Sequence, residues 1–237
     1  MLDFNSIPEK DRIIVALDCD RARALELADM LRGKATWMKV GMTLYYQEGP
    51  SIVSELKQRG FKVFLDLKLH DIPHQVHGAA RAIATSGADM VTVHAFGGVS
   101  MMEQAKAGLE EGSAGNQPIS LGVTVLTSMG QEELNRNGVP GAVESQVANL
   151  AGLVREAGLT GVVCSPWEAT RMRNILGAEA AIVTPGVRPA GASLDDQTRV
   201  ATPRVAFDNG ASHLVIGRPI TKAEDPAAAF DAIVAGL

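Results

Sequence analysis

The sequence predicts a (β/α)8 barrel filling one domain over residues 1–237. Three observations predict it: eight short apolar runs rich in β-branched residues, longer stretches between them with helical spacing of apolar residues, and a glycine closing nearly every such stretch. Strands that alternate with helices need right-handed crossovers, hence a parallel sheet buried on both faces. That explains runs that are apolar throughout more than alternating. Eight such units in 237 residues point to closure into a barrel.

The elements follow in order. "RIIVALD" (12–18) is the first run, and "RARALELADMLRG" follows it as a helix stopped at Gly33. "TWMKVG" (36–41) is succeeded by "GPSIVSELKQRG", stopped at Gly60, and "FKVFLDLK" (61–68) by "VHGAARAIATSG", stopped at Gly87. "DMVTVHA" (89–95) is the fourth run and "ISLGVTVLT" (119–127) the fifth. After the fifth comes the longest connection, residues 126–140, expected as a mobile loop, then "AVESQVANLAGLVREAG", stopped at Gly158. "GVVCS" (161–165) leads to a stop at Gly177, "AIVTPG" (181–186) to "TRVATPRVAFDNG" with its stop at Gly210, and "HLVIG" (213–217) is the eighth run. Glycine at a helix end takes the left-handed cap without a Cβ penalty. An open doubly wound sheet is the rival fold, but "ALDCDRARAL" lacks the GxGxxG turn of its dinucleotide-binding version.

Composition narrows function. A formal net charge of −5 offers no electrostatic footprint for nucleic acid or an anionic membrane, so an anionic ligand must be held locally. Trp37 and Trp167 are too few for a base-stacking platform. Two distant cysteines, Cys19 and Cys164, make neither a CxxC motif nor a disulfide framework. "MLDFNSIPEKDR" lacks an apolar signal region and no run is long enough to span a membrane, so a cytoplasmic protein is expected.

The chemistry gathers where the apolar runs stop. Asp18, Lys39, Asp66 with Lys68, His94, Thr127, Arg188 and Arg218 stand there, the position at which barrels place reactive groups. By strand alternation Asp66 and Lys68 share a face, while Asp71 lies on the loop beyond. An isolated Asp–Lys pair is commonly structural. Burying four alternating charges at one barrel mouth costs several kcal/mol per ion before attraction offsets it, so a reaction that creates or destroys charge is the better motive. At the seventh and eighth runs, "TPGVRPAGASLDDQ" carries Arg188 and Gln197, and "IGRPI" places Gly217 and Arg218 where barrels commonly hold phosphate. The guanidinium of Arg218 can make a forked contact that lysine cannot.

These motifs together, "ALD", "MKVG", "FLDLKLHDIP", "VTVLTS", "TPGVRP" and "IGRPI", cover essentially the whole chain and resemble the orotidine 5′-phosphate decarboxylase family, bacterial type. The D-x-K-x-x-D element alone is shared more widely; "GVRP" and "GRPI" make it specific. One departure stands at "DIPHQ", where Gln75 replaces a threonine that in the family touches ribose from the partner subunit. The resemblance implies decarboxylation of orotidine 5′-monophosphate to uridine 5′-monophosphate without metal or organic cofactor, in a homodimer with shared active sites. It implies Lys68 as cation and proton donor, Asp66 holding that ammonium, Asp71 near the substrate carboxylate, and Lys39 balancing the array and contacting ribose. Asp18 would bind ribose hydroxyls, Thr127 and Ser128 the pyrimidine, and Gln197, Gly217, Arg218 and Arg188 the phosphate. Ile72 and Gln75 complete the substrate-binding set.

Other clusters carry less. Pro73 breaks the helical spacing of His70 and His74, and with His77 they form no recognisable metal pattern. His94, with Thr92 on its face, is expected to line the barrel mouth, as a structural or a catalytic histidine. Met101 and Met102 read as packing. Two rival functions stay open. One is a metal-assisted sugar-phosphate aldolase or decarboxylase, which would want a carboxylate where Lys39 stands; the other is a non-catalytic barrel that binds a phosphorylated metabolite.

Overall fold

Each of the eight apolar runs forms a strand in the computed structural model, which describes residues 4–189 and 201–237. They are β1 (Ile13–Ala16), β2 (Trp37–Gly41), β3 (Lys62–Leu69), β4 (Met90–His94), β5 (Ile119–Val123), β6 (Gly161–Val163), β7 (Ala181–Thr184) and β8 (His213–Ile216). All pair in parallel in sequence order, and β8 closes on β1 through Ile13 opposite Leu214. The (β/α)8 barrel is therefore the fold, with helices between the strands. The six predicted stops, Gly33, Gly60, Gly87, Gly158, Gly177 and Gly210, all take positive φ, for example 91° at Gly60 and 96° at Gly210. A side chain there would crowd the backbone.

Side-chain alternation splits the core into two shells. Ile13, Val15 and Leu17 of the first unit pack outward among the helices with Met38, Val63 and Val91. Ile14, Ala16, Trp37, Phe64, Met90 and Leu121 point inward and fill the barrel. At the N-terminal end of the strands this inner shell includes His213, whose buried ring meets the rings of Phe4 and Trp37 edge-on at 5.3 and 5.6 Å between centroids. Its Nδ1 lies 3.0 Å from Ser212 Oγ. Burial above all, then the cations Arg12 and Lys62, push its pKa down to about 3, so the ring is neutral.

The connection after β5 differs from expectation. It contains a helix, Gln131–Arg136, with Leu134 buried beneath it. The Gln131 amide donates to Gly141 O at 2.6 Å and accepts from Val143 N at 3.0 Å, tying both ends of the connection together. An apolar anchor and a side-chain bridge thus order a stretch whose glycines and polar residues read as a loop.

Candidate active site

The inward rows continue past the apolar filling and become polar at the C-terminal end of the strands. Ile14 and Ala16 lead to Asp18, Trp37 to Lys39, Phe64 to Asp66, and Met90 to Thr92. Period two alone carries these side chains to one mouth. There a cavity of about 490 Å3 is lined by Asp18, Lys39, Asp66, Lys68, Arg188 and Arg218, with Thr127 and Gly217 also on its wall. Phe64, Val123, Val163 and Val215 line it with apolar surface.

Its charges alternate along a chain of contacts. Lys39 Nζ lies 2.9 Å from Asp18 Oδ1 and 3.8 Å from Asp66 Oδ2, and Lys68 Nζ donates to Asp66 Oδ1 at 2.9 Å. Lys39 is 7% exposed, so it has little water and depends on these carboxylates. For Asp66 burial is the largest single influence and would raise its pKa. The charges of Lys39 and Lys68, with hydrogen bonds from Lys68 and Thr92, together outweigh it and hold the carboxyl below its usual range. Asp66 is thus an anion fixed between two ammonium groups.

Lys68 is where the alternation argument needs correction. β3 and β4 run in register through Leu65 opposite Val91, and then Leu69 stands opposite Val93. Asp66, Leu67 and Lys68 therefore face Thr92 alone, a bulge that re-aims the strand. Lys68 has φ 52°, and among the described residues no other non-glycine has positive φ. That conformation costs about 1–3 kcal/mol and concentrates at functional sites. Asp66 and Lys68 do meet, but through a bulge.

Arg188 is buried, and its Nη1 donates to Val187 O at 3.0 Å. Its backbone is anchored by Arg188 N donating to Ala201 O at 3.0 Å, while Ala201 N donates to Gly186 O at 3.3 Å. Arg218 opens the short helix Arg218–Thr221 directly after β8.

Several expected residues stand apart from this cavity within the chain. Asp71 is exposed, with its Oδ1 accepting from Ile72 N at 2.7 Å, and Ile72 is 63% exposed. Gln75 lines a separate surface depression with His74, His77 and Arg81, and Ser128 is exposed beside the wall. Gln197 lies outside the described residues. His94 lines a neighbouring cavity of about 360 Å3 instead of the charged one. His70, just past the bulge, stacks on it at 5.1 Å between centroids, and burial, then His70 and Lys68, lower its pKa. Sequence reasoning missed Lys222, which lines the charged cavity four residues after Arg218, and the role of Thr92, whose hydroxyl donates to Asp66 Oδ1 at 3.0 Å. Among the described residues no group of three or more His, Cys, Asp or Glu side chains is placed to hold a metal ion, and no helix is long and apolar enough to cross a membrane.

Residues 11–233 match the family described as orotidine 5′-phosphate decarboxylase / HUMPS. Curated relatives include the orotidine 5′-phosphate decarboxylases of Moorella thermoacetica, 52% identical over 96% of this chain and 92% of that protein, and of Nitrosococcus oceani, 50% identical over 97% and 98%. The crystal structure of orotidine 5′-phosphate decarboxylase from Lactobacillus acidophilus superposes with a TM-score of 0.84 at 39% identity, covering 94% of this chain and 97% of that one.

Proposed function

The chain belongs to the orotidine 5′-phosphate decarboxylase / HUMPS family, and on that premise we propose that it is a carboxy-lyase converting orotidine 5′-monophosphate to uridine 5′-monophosphate and carbon dioxide in pyrimidine biosynthesis. The observation that carries the reading is the alternating Asp18, Lys39, Asp66 and Lys68 chain, sharing one cavity with Arg188 and Arg218. Loss of the carboxylate breaks a carbon–carbon bond and leaves its electron pair on a ring carbon with no adjacent electron sink. Stabilisation must then come from charge that is already in place and interacts more strongly with the transition state than with the substrate.

Lys68 supplies that charge in this reading. Its ammonium faces the developing carbanion, gives it a proton as carbon dioxide departs, and regains one from solvent. Asp66 holds the ammonium in position, accepting from Lys68 Nζ at 2.9 Å, while Lys39 balances the array and contacts ribose with Asp18. Arg188 and Arg218, with Gln197 and Gly217, grip the phosphate, so binding energy remote from the reacting carbon is used to orient it. Thr127 and Ser128 read the pyrimidine.

Asp71, Ile72 and Gln75 are exposed and lie outside the lining of their own cavity. They fit a cytoplasmic homodimer in which each chain completes its neighbour's site, with Asp71 beside the substrate carboxylate. The array brings its own cations, so the reading includes no metal or organic cofactor. Lys39 at β2 also disfavours a metal-assisted aldolase, which needs an anionic ligand there.

The test is the ultraviolet absorbance loss of orotidine 5′-monophosphate with pure protein, before and after exhaustive chelation. Turnover is expected in both samples. No turnover in either overturns the reading, and turnover lost on chelation but restored by magnesium favours the aldolase-like chemistry.

A further inference from the structure

We propose that Thr92 is a positioning residue that holds the β3 bulge and aims both Asp66 and Lys68. The inference rests on the decarboxylase reading of the same site. Three residues of β3, Asp66 to Lys68, stand against Thr92 alone, so the regular ladder cannot serve the Lys68 N–H. That N–H instead donates to Thr92 Oγ1 at 2.9 Å, and the same hydroxyl donates its proton to Asp66 Oδ1 at 3.0 Å. A hydroxyl offers one donor and two acceptor sites, so one group can serve both contacts.

The arrangement couples two things that the chemistry needs. Lys68 sits at φ 52°, a conformation that a β-strand lysine abandons unless its backbone is held. Asp66 Oδ1 receives the Lys68 ammonium at 2.9 Å as well as the Thr92 hydroxyl, so its rotation is fixed by two donors on one oxygen. Thr92 itself is 1% exposed and cannot rotate out to water. Valine has nearly the same shape but no hydroxyl. It would strand the Lys68 N–H and free Asp66 to turn. Serine keeps the hydroxyl and loses only a methyl group.

The experiment compares Thr92→Val and Thr92→Ser with the wild-type chain by kinetics and by crystal structure. In Thr92→Val, kcat should fall about 10- to 100-fold, the scale of one lost hydrogen bond to a charged group, with KM changed less than about threefold. The acid limb of its kcat profile should move to higher pH, because the Asp66 carboxylate has lost a donor. Thr92→Ser should retain kcat within about threefold of wild type. A folded Thr92→Val chain within twofold of wild type overturns the proposal. So does a folded Thr92→Ser chain that loses kcat tenfold, a result that decides the matter even if the valine variant does not fold. If the wild-type chain fails to turn over the substrate, it is the decarboxylase reading that falls. The variant crystal structures then decide the positioning role: Lys68 still near φ 52° and an unmoved Asp66 in the absence of the hydroxyl overturn it, and their displacement supports it.

Discussion

Acid should unfold this barrel partly through one residue far from the charged mouth, His213. Its imidazole titrates near 6.5 when unfolded and is pushed down to about 3 in the fold, by burial first and then by Arg12 and Lys62. Between those values the unfolded chain binds more protons than the folded one, so stability falls as pH drops. It is fully present above about 6.5 and lost on the way to about 3. The separation corresponds to about 5 kcal/mol in full, of which about 3 kcal/mol is lost between pH 7 and pH 4.

His213→Gln removes the titration and leaves Ser212 paired, since its Oγ still accepts from Ile182 N at 2.8 Å and donates to Ile182 O at 3.1 Å. The glutamine chain should start lower at pH 7, through lost packing against Phe4 and Trp37. From there to pH 4 it should lose about 3 kcal/mol less than wild type. Urea unfolding followed by circular dichroism at both pH values, at one fixed protein concentration, measures the difference. Parallel losses in the two chains would show that His213 is not buried as a neutral base, and the account of the barrel floor would be wrong.

Other predictions concern the charged mouth. Lys68→Ala should lower kcat by about 10^4-fold or more, while uridine 5′-monophosphate affinity measured by calorimetry changes less than about tenfold; near-normal kcat would remove Lys68 from the chemistry. Arg218→Ala should reduce kcat/KM for the phosphorylated substrate by about 100-fold or more yet leave slow turnover of the nucleoside nearly unchanged, and equal losses would indicate misfolding instead. Lys68→Ala and Asp71→Ala chains refolded together should recover activity in about a quarter of their sites if each mixed dimer holds one intact composite site. Activity no higher than either parent, with mixed dimers verified by mass, would mean that Asp71 acts within its own chain.

What could be read from the chain alone was whatever depends on local periodicity. Eight apolar runs and their glycine stops locate the strands and the helix ends, and period two carries Asp18, Lys39 and Asp66 inward because each follows an inward apolar residue. The candidate cavity was therefore legible in the spacing of its charges. The helix at Gln131–Arg136 was not, because its support comes from Leu134 packing and from Gln131 reaching ten and twelve residues onward.

The tertiary structure decided what happens where two strands meet. Lys68 reaches Asp66 through a bulge set by the register of β3 on β4, and the hydroxyl that satisfies its N–H belongs to Thr92, 24 residues away. His94 shares the inward parity of Thr92 but commits its ring to His70, so parity alone misplaced it. Alternation is a property of one strand, fixed by its own backbone geometry. Register, bulges and shared hydrogen bonds are properties of pairs, chosen only when distant segments close the barrel together.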